Sequence, residues 1–352
     1  MIVLLVGLVC VPAFAAGPAG WRTDGSGRYP DATPVTEWSP EKNVVWRAEL
    51  PSWSNATAVV LADRIFVCSE PTNLLCLNKS DGKLVWALFN NGVAACYDLE
   101  GVRKWIVHVD VPPHRDWGHS ASPVLHDGKL IVHVAEMKAL DAATGKLLWR
   151  SQGTKWAWGT PAITNVGDTA VALGPKGQIV GLSDGKVLTS VANGLEYNSP
   201  IVADGVAYYI QGKAVAAKLV AAEDGVKAEP VWTVKIKEDR YYSSPVIHNG
   251  LIYAVNQKGH LSILDAPTGK VVNGGGQGVA LDLGKGTFYP SVTLAGGHVL
   301  VSSENGTTVV LKPGPAGEVV ATNKLDTFRS SPVFEGKRMY LRTYKYLYCI
   351  GE

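Results

Sequence analysis

The chain has 352 residues, 46% of them apolar and 18% charged, with a formal net charge of +2. Near-neutral charge without a basic block excludes an electrostatic footprint for nucleic acid and a polybasic membrane patch. The 38 glycines and 20 prolines favour many short strands joined by tight turns, on a length that suits one large all-β domain or two ordinary ones.

Residues 1–15 are an apolar run ending in Ala13-Phe14-Ala15, a small-x-small cleavage pattern. They predict a secretory signal peptide, and the run is too short to span a bilayer comfortably. Cys10 follows Val9, not the small residue that a lipoprotein signal requires. The expectation is therefore a soluble periplasmic or secreted protein with no transmembrane segment. Residues 16–42 read as an N-terminal extension. Beyond the leader stand Cys68, Cys76, Cys96 and Cys349. Neighbouring strands of one repeat make Cys68 and Cys76 the foremost candidate pair, with buried free thiols an equal reading. No CxxC supports a zinc or thioredoxin-type centre.

From there on one phrase recurs. It opens as Ser122-Pro-Val-Leu-His-Asp-Gly128, as Ser199-Pro-Ile-Val-Ala-Asp-Gly205, as Ser244-Pro-Val-Ile-His-Asn-Gly250 and as Ser331-Pro-Val-Phe-Glu-Gly336. The opening prolines stand at 123, 161, 200, 245, 290 and 332, spaced by 38, 39, 45, 45 and 42 residues. A period of this length, filled with short strands and lacking any helical pattern, signals a β-propeller of four-stranded blades. Asp127-Gly128 and Asn249-Gly250 are hairpin turns. Runs such as Leu130-Ile-Val-His133 are the continuous apolar strands expected where both faces pack against neighbouring blades.

The later part of each unit carries Ala139-Leu-Asp-Ala-Ala-Thr-Gly-Lys-Leu-Leu-Trp149, with weaker copies ending at Trp86, Trp105 and Trp232. This resembles the tryptophan-docking motif AxDxxTGKxxW of the PQQ-like (quinoprotein-type) propellers, and the resemblance covers nearly the whole chain beyond the leader. It implies a structural role: Thr-Gly turns the chain between the third and fourth strands, and the indole lies over the next blade. The start of the chain, Trp21-Arg-Thr-Asp-Gly-Ser-Gly-Arg-Tyr-Pro30, is similar to exported members of this group, and more distantly to the BamB-like family. That likeness implies an interaction module of the cell envelope and names no partner.

Two irregularities modify the ring. The last unit ends after its third strand, so residues 43–50 are expected to return as its fourth, giving a propeller over 43–352 clasped by both chain ends. Between Ala58 and Pro123 there is room for only about one and a half units. Asp81-Gly-Lys-Leu-Val-Trp86 can end one unit or begin the next. The expectation is seven blades plus a fragment, derived from an eight-bladed pattern.

Chemistry is sparse. The resemblance implies that quinone-dependent dehydrogenases carry an adjacent cysteine pair and a carboxylate–asparagine set for Ca²⁺, and neither maps onto this chain. PQQ is thus possible but unsupported; no catalytic residue and no metal are assigned. The His108–His119 stretch, with His114 and Asp116, reads as a polar connection between blades, because its spacings fit neither strand alternation nor a helical face. The better lead is the aromatic or polar residue that recurs just before each first strand: Trp53, Asn55, His119, Trp158, Tyr197, Asn198, Tyr242, Tyr289 and Arg329. In a propeller these ring one mouth of the central channel and offer a recognition surface. The expectation is a monomeric, non-catalytic scaffold for an envelope protein or glycan, with a PQQ-dependent oxidoreductase or a carbohydrate-binding propeller as alternatives.

Overall fold

The computed structural model describes residues 21–352 apart from 23, 62–63, 71–72, 78–84, 89–91, 99–101, 114–118, 224 and 274–280; for 61, 73–77, 85–88 and 281 it describes the backbone only. The leader expected at 1–15 and the residues His114, Asp116 and Trp117 therefore lie outside the described part. Among the described residues the chain forms eight sheets and no helix. In chain order they are blades 1 (59–77), 2 (85–108), 3 (124–151), 4 (162–190), 5 (201–235), 6 (246–282), 7 (293–324) and 8 (333–350).

Each blade is an up-and-down antiparallel meander whose first strand is innermost. The first turn is tight because both central residues take positive φ, as at Asp127-Gly128 (44° and 68°), Asp204-Gly205 and Asn249-Gly250. The second turn of the unit is built by the side chains of the repeated motif. In blade 3 the Asp141 carboxylate accepts from the Thr144 N–H and hydroxyl at 2.8 and 2.7 Å, and Gly145 follows at φ 73°. Asp265, Thr268 and Gly269 repeat this in blade 6. A β-bulge then recurs on the outer strand at the same place, at Leu148 before Trp149 and Val231 before Trp232. Because one residue is unpaired, two successive side chains face solvent and the third turns inward. Leu147 and Leu148 are exposed, while Trp149 is 8% exposed.

The cores lie between blades. Among the described residues seven buried apolar clusters each join consecutive blades: 2 to 3, 3 to 4, 4 to 5, 5 to 6, 6 to 7, 7 to 8, and 8 back to 1. Indole rings fasten three of these junctions. The ring N–H of Trp105 donates to Ala142 O at 3.0 Å, that of Trp149 to Leu182 O at 3.0 Å and that of Trp232 to Ala266 O at 2.8 Å. Each ring also covers a glycine of the next blade: a Cβ on Gly145, Gly185 or Gly269 would lie within 2.7 Å of the indole. The glycine of the turn therefore serves twice, through its positive φ and through its bare face.

A second fastening was not anticipated. The Ser or Thr at the head of each first strand donates its backbone N–H to the hydroxyl of its counterpart in the next blade. The series runs Ser122 to Thr160 (2.8 Å), Thr160 to Ser199 (2.8 Å), Ser199 to Ser244 (3.1 Å), Ser244 to Ser291 (3.3 Å), Ser291 to Ser331 (2.9 Å) and Ser331 to Thr57 (3.0 Å). This hydroxyl girdle sets the true register of the repeat. Pro290 stands one residue before the girdle serine, whereas the other five prolines follow theirs.

The end of blade 8 is completed by Val44–Glu49, which pairs antiparallel with Tyr346–Ile350. Between Ala58 and Pro123 the described residues form three strands in blade 1 and three in blade 2. Val85–Leu88 pairs with Val93–Tyr97 of blade 2, so Trp86 lies on that blade's first strand and not on an outermost strand, where a docking ring belongs; its side chain is outside the described part. Among the described residues Cys68, Cys96 and Cys349 form no disulfide. The register of blade 1 sets Leu74 opposite Cys68 and Phe66 opposite Cys76, so the expected pair is not opposed and Cys68 is unbonded.

Residues 21–42 are built into the ring as a strap. Arg28–Tyr29 pairs in parallel with Thr293–Ala295, on the axial side of blade 7. Arg22 is fully buried beside it and donates to Pro245 O at 2.9 Å and Val292 O at 2.7 Å, tying blade 6 to blade 7. The strap then runs outward between blades 7 and 8. Tyr29 packs edge-on against Phe334 at 5.1 Å, and Trp38 donates its backbone N–H to Asn323 of the outer strand at 2.8 Å. Burial pulls the Arg22 pKa down to about 10, still charged at neutral pH. Arg22→Ala leaves two buried carbonyls without charged donors and is expected to lower stability by about 2–3 kcal/mol in chemical denaturation.

Candidate functional site

The connections from each blade to the next, and the turns between second and third strands, share one face of the ring. The residue two places before each girdle hydroxyl stands at the axial edge of that face. In blades 5 to 8 these are Tyr197, Tyr242, Tyr289 and Arg329, and they touch in sequence. Tyr197 meets Tyr242 edge-on at 4.9 Å, Tyr242 stacks on Tyr289 at 4.7 Å, and the Arg329 guanidinium lies 4.2 Å from the centre of the Tyr289 ring. Offset and edge-on contacts suit the ring quadrupole, and a guanidinium over the ring face is attracted to it. All four side chains are half-buried.

Polar groups from neighbouring turns hold this arc. Glu304 Oε2 accepts from Arg329 Nε at 3.1 Å and pairs with Nη2 at 3.0 Å. Arg240 donates to the Tyr242 hydroxyl at 3.3 Å. Partial burial raises the Tyr197, Tyr289 and Tyr344 phenol pKa values above the usual tyrosine range, so all three stay neutral. Tyr344 extends the arc toward blade 1, where its ring lies 6.4 Å from that of Trp53, and Trp53 is 55% exposed. Beside Arg240 lies a polar hollow of about 280 Å³ lined by Gln211, Gly212, Lys213, Lys235, Glu238 and Asp239.

The other candidates fall outside this arc. Asn198 is buried; its amide donates to Ile210 O at 2.9 Å and Ser243 O at 3.4 Å, so it braces blade 5 against blade 6 and presents nothing to the surface. Trp158 packs edge-on against Trp156 at 5.5 Å, and Ser120 Oγ donates to its carbonyl at 2.7 Å. Asn55 is exposed on blade 1. His119 turns inward. Its Nδ1 accepts from the Ala121 N–H at 3.2 Å, and its buried Nε2 has no partner among the described residues. His133, fully buried in blade 3, bonds Lys155 O through Nε2 at 3.0 Å. Arg240, Glu304 and Tyr344 are not legible in the sequence, because they stand outside the positional rule that marks the residues before each first strand and carry no repeated signal of their own.

A family model described as outer membrane protein assembly factor BamB matches residues 34–273. The chain belongs to the BamB family. Among solved structures, BamB from Moraxella catarrhalis superposes with a TM-score of 0.62 at 13% identity, covering 87% of this chain and 99% of its own. The computationally designed Ika8 protein gives 0.59 at 10% identity, covering 93% and 99%. At such identities the likeness concerns the fold alone. The quinohemoprotein alcohol dehydrogenase of Comamonas testosteroni superposes with a TM-score of 0.49 at 12% identity, covering 96% and 81%. A comparison with curated proteins gave no match.

A quinone with its cation does not suit the described residues. No group of three His, Cys, Asp or Glu side chains converges among them. The axial space beside blades 6 and 7 is taken by the chain's own Arg22 and Arg28–Tyr29.

Proposed function

We propose that this protein is a non-catalytic interaction scaffold of the cell envelope, exported by its leader, with the arc Tyr197–Tyr242–Tyr289–Arg329 as its docking surface. The observation that carries this reading is the arc's continuity: four side chains from four successive blades form one pre-assembled, half-exposed platform. Aromatic and arginine side chains on a rigid frame bind with little loss of side-chain entropy and dominate the energetics of protein interfaces. The family description, an outer membrane assembly factor, supports an envelope setting and a protein partner. Among the described residues no helix is long and apolar enough to cross a membrane.

The test is cross-linking of the purified protein to solubilised envelope proteins, compared with Tyr242→Ala/Tyr289→Ala. The expected result is an envelope protein captured by the unaltered chain and reduced at least tenfold by the double variant, whose melting temperature is nearly unchanged. Equal capture by both proteins removes the arc from the function. The polar hollow beside Arg240 favours a second reading, in which sugar rings stack on the tyrosines and hydroxyls reach Asp239 and Gln211. A glycan array resolves it: binding lost in Tyr242→Ala identifies a carbohydrate ligand, and no glycan bound leaves the protein partner.

A further inference from the structure

In blades 3 to 8 the first residue of the third strand stands opposite the last residue of the fourth. The pair is Met137 and Ser151 in blade 3, His260 and Asp282 in blade 6, and Thr307 and Lys324 in blade 7. Side chains meet at this position, since Lys324 Nζ donates to Thr307 Oγ1 at 3.3 Å. In blade 5 the pair is Lys213 and Lys235. Blades 3, 4, 6, 7 and 8 set no two charges of one sign together here. Like charges directly across two strands repel and weaken the hairpin. Stability alone gives no reason for this pair, and a local conflict of this kind points to function.

Neither ammonium is neutralised by the protein. Among the described residues neither Lys213 nor Lys235 pairs with a carboxylate. Both line the hollow of about 280 Å³ beside Arg240, together with Gln211, Gly212, Glu238 and Asp239. Asp239 does not compensate them. Its Oδ1 accepts from the Arg240 N–H at 2.8 Å and from Gln257, and its Oδ2 pairs with Lys258 at 3.0 Å. Glu238 is the one remaining carboxylate of the lining. Positive charge is thus concentrated at one place on a chain whose formal net charge is only +2.

We propose that the hollow between Lys213 and Lys235 binds a doubly charged phosphate group, either free or esterified to a sugar or a lipid headgroup. Residues opposite each other across two strands have Cβ atoms about 5 Å apart. Two ammonium groups on such stems can bracket one tetrahedral anion, each donating to a different oxygen. Lysine serves as a point charge for phosphate. A phosphate monoester carries close to two negative charges at neutral pH, so it matches both lysines, whereas a carboxylate would match one. Binding turns the repulsion across the hairpin into two attractions. The hollow is smaller than the clefts of roughly 300–1,000 Å³ that enclose whole ligands, so it suits one such group. Its wall is fixed in advance, because the Gln211 amide donates to Gly194 O at 3.0 Å. The site lies beside the aromatic arc and does not depend on the arc's role.

The experiment follows the amide resonances of the full chain at low ionic strength. Inorganic phosphate or glucose phosphate is added, with sodium chloride of matched ionic strength as the control. Co-sedimentation with phosphatidylcholine vesicles, with and without phosphatidic acid, supplies the lipid arm. The expected result is saturable shifts at Gly212, Lys213 and Lys235, or sedimentation that requires phosphatidic acid. Lys213→Gln should weaken binding about tenfold, the worth of one hydrogen bond to a charged group. The same variant should raise the melting temperature of the free protein, because the repulsion across the hairpin ends. Glu238→Gln should strengthen binding about threefold by removing a competing surface charge. A response to phosphate alone supports a free anion, and a response confined to glucose phosphate or to vesicles supports the corresponding ester. No saturable response to any of the three, shifts matched by chloride, or equal affinity in Lys213→Gln overturns the proposal. Capture of envelope proteins through Tyr242 and Tyr289 is read in a separate assay, so the failure of either reading leaves the other standing.

Discussion

Replacing Trp149 by alanine should destabilise the protein by about 3–5 kcal/mol, the usual cost of removing a large buried aromatic ring. Three losses add up at this position. The apolar area of the ring between blades 3 and 4 returns to water. The Leu182 carbonyl loses the indole donor at 3.0 Å. The bare face of Gly185, shaped to the ring, becomes part of a cavity. Trp149→Phe keeps much of the area and loses only the hydrogen bond and part of the contact, so its cost should be smaller. Gly185→Ala attacks the same junction from the other side. Its Cβ would meet the indole at 2.6 Å, and its φ of 77° is strained for alanine. Urea denaturation of the three variants should rank Trp149→Ala as the most damaging. If Trp149→Ala costs less than 1 kcal/mol, the indole is not a fastening of this ring.

Acid should weaken the fold through His133. Burial pushes its pKa down to about 4 from the ordinary 6.5. The unfolded chain therefore binds a proton at a pH where the folded chain does not, and stability rises with pH between these values. The contribution is fully present above pH 6.5 and is lost as pH falls toward 4, a difference of about 3 kcal/mol by the free energy of one pKa unit. His119 is shifted in the same direction, to about 4, by burial and by its neighbour His133. The hydrogen bonds supply the mechanism. His133 uses Nε2–H on Lys155 O, which leaves Nδ1 as a bare acceptor; His119 accepts at Nδ1, which leaves its proton on Nε2. A second proton on His119 would face the Ala121 N–H, donor against donor. Chemical denaturation at pH 7.5 and pH 4.5 checks this, and His133→Asn should show a smaller difference between the two. An unchanged difference in that variant would assign the acid sensitivity elsewhere.

The architecture was legible because it is written several times over. Asp-Gly and Asn-Gly turns, Thr-Gly before tryptophan, and buried aliphatic runs each repeat, so one weak copy is supported by its neighbours. Features that occur once were not legible. The strap of residues 21–42 has no repeat to align with, and Arg22 is an ordinary surface residue by composition; only its two carbonyl partners, far along the chain, make it an interior one. Pro290 misled the register because a proline was taken as the marker, when the physically constrained residue is the adjacent hydroxyl. The rim residues Tyr197, Tyr242, Tyr289 and Arg329 were found from their place before each first strand. Their contact with one another follows from blade spacing, which no single repeat contains. Asn198 satisfied the same positional rule yet lies beneath the surface, since neighbouring residues in an extended segment point to opposite sides.

The pairing of Val44–Glu49 with Tyr346–Ile350 has a consequence for biosynthesis. The first of these segments leaves the ribosome early and must wait for nearly the whole polypeptide before its mate exists. Until then Val44–Glu49 is an outer strand without its blade, and the growing chain carries an unmatched edge. Contacts this distant in sequence form slowly, so closure of the ring through this pair is expected to be the last step of folding. A chain truncated before Tyr346 should remain open and be degraded.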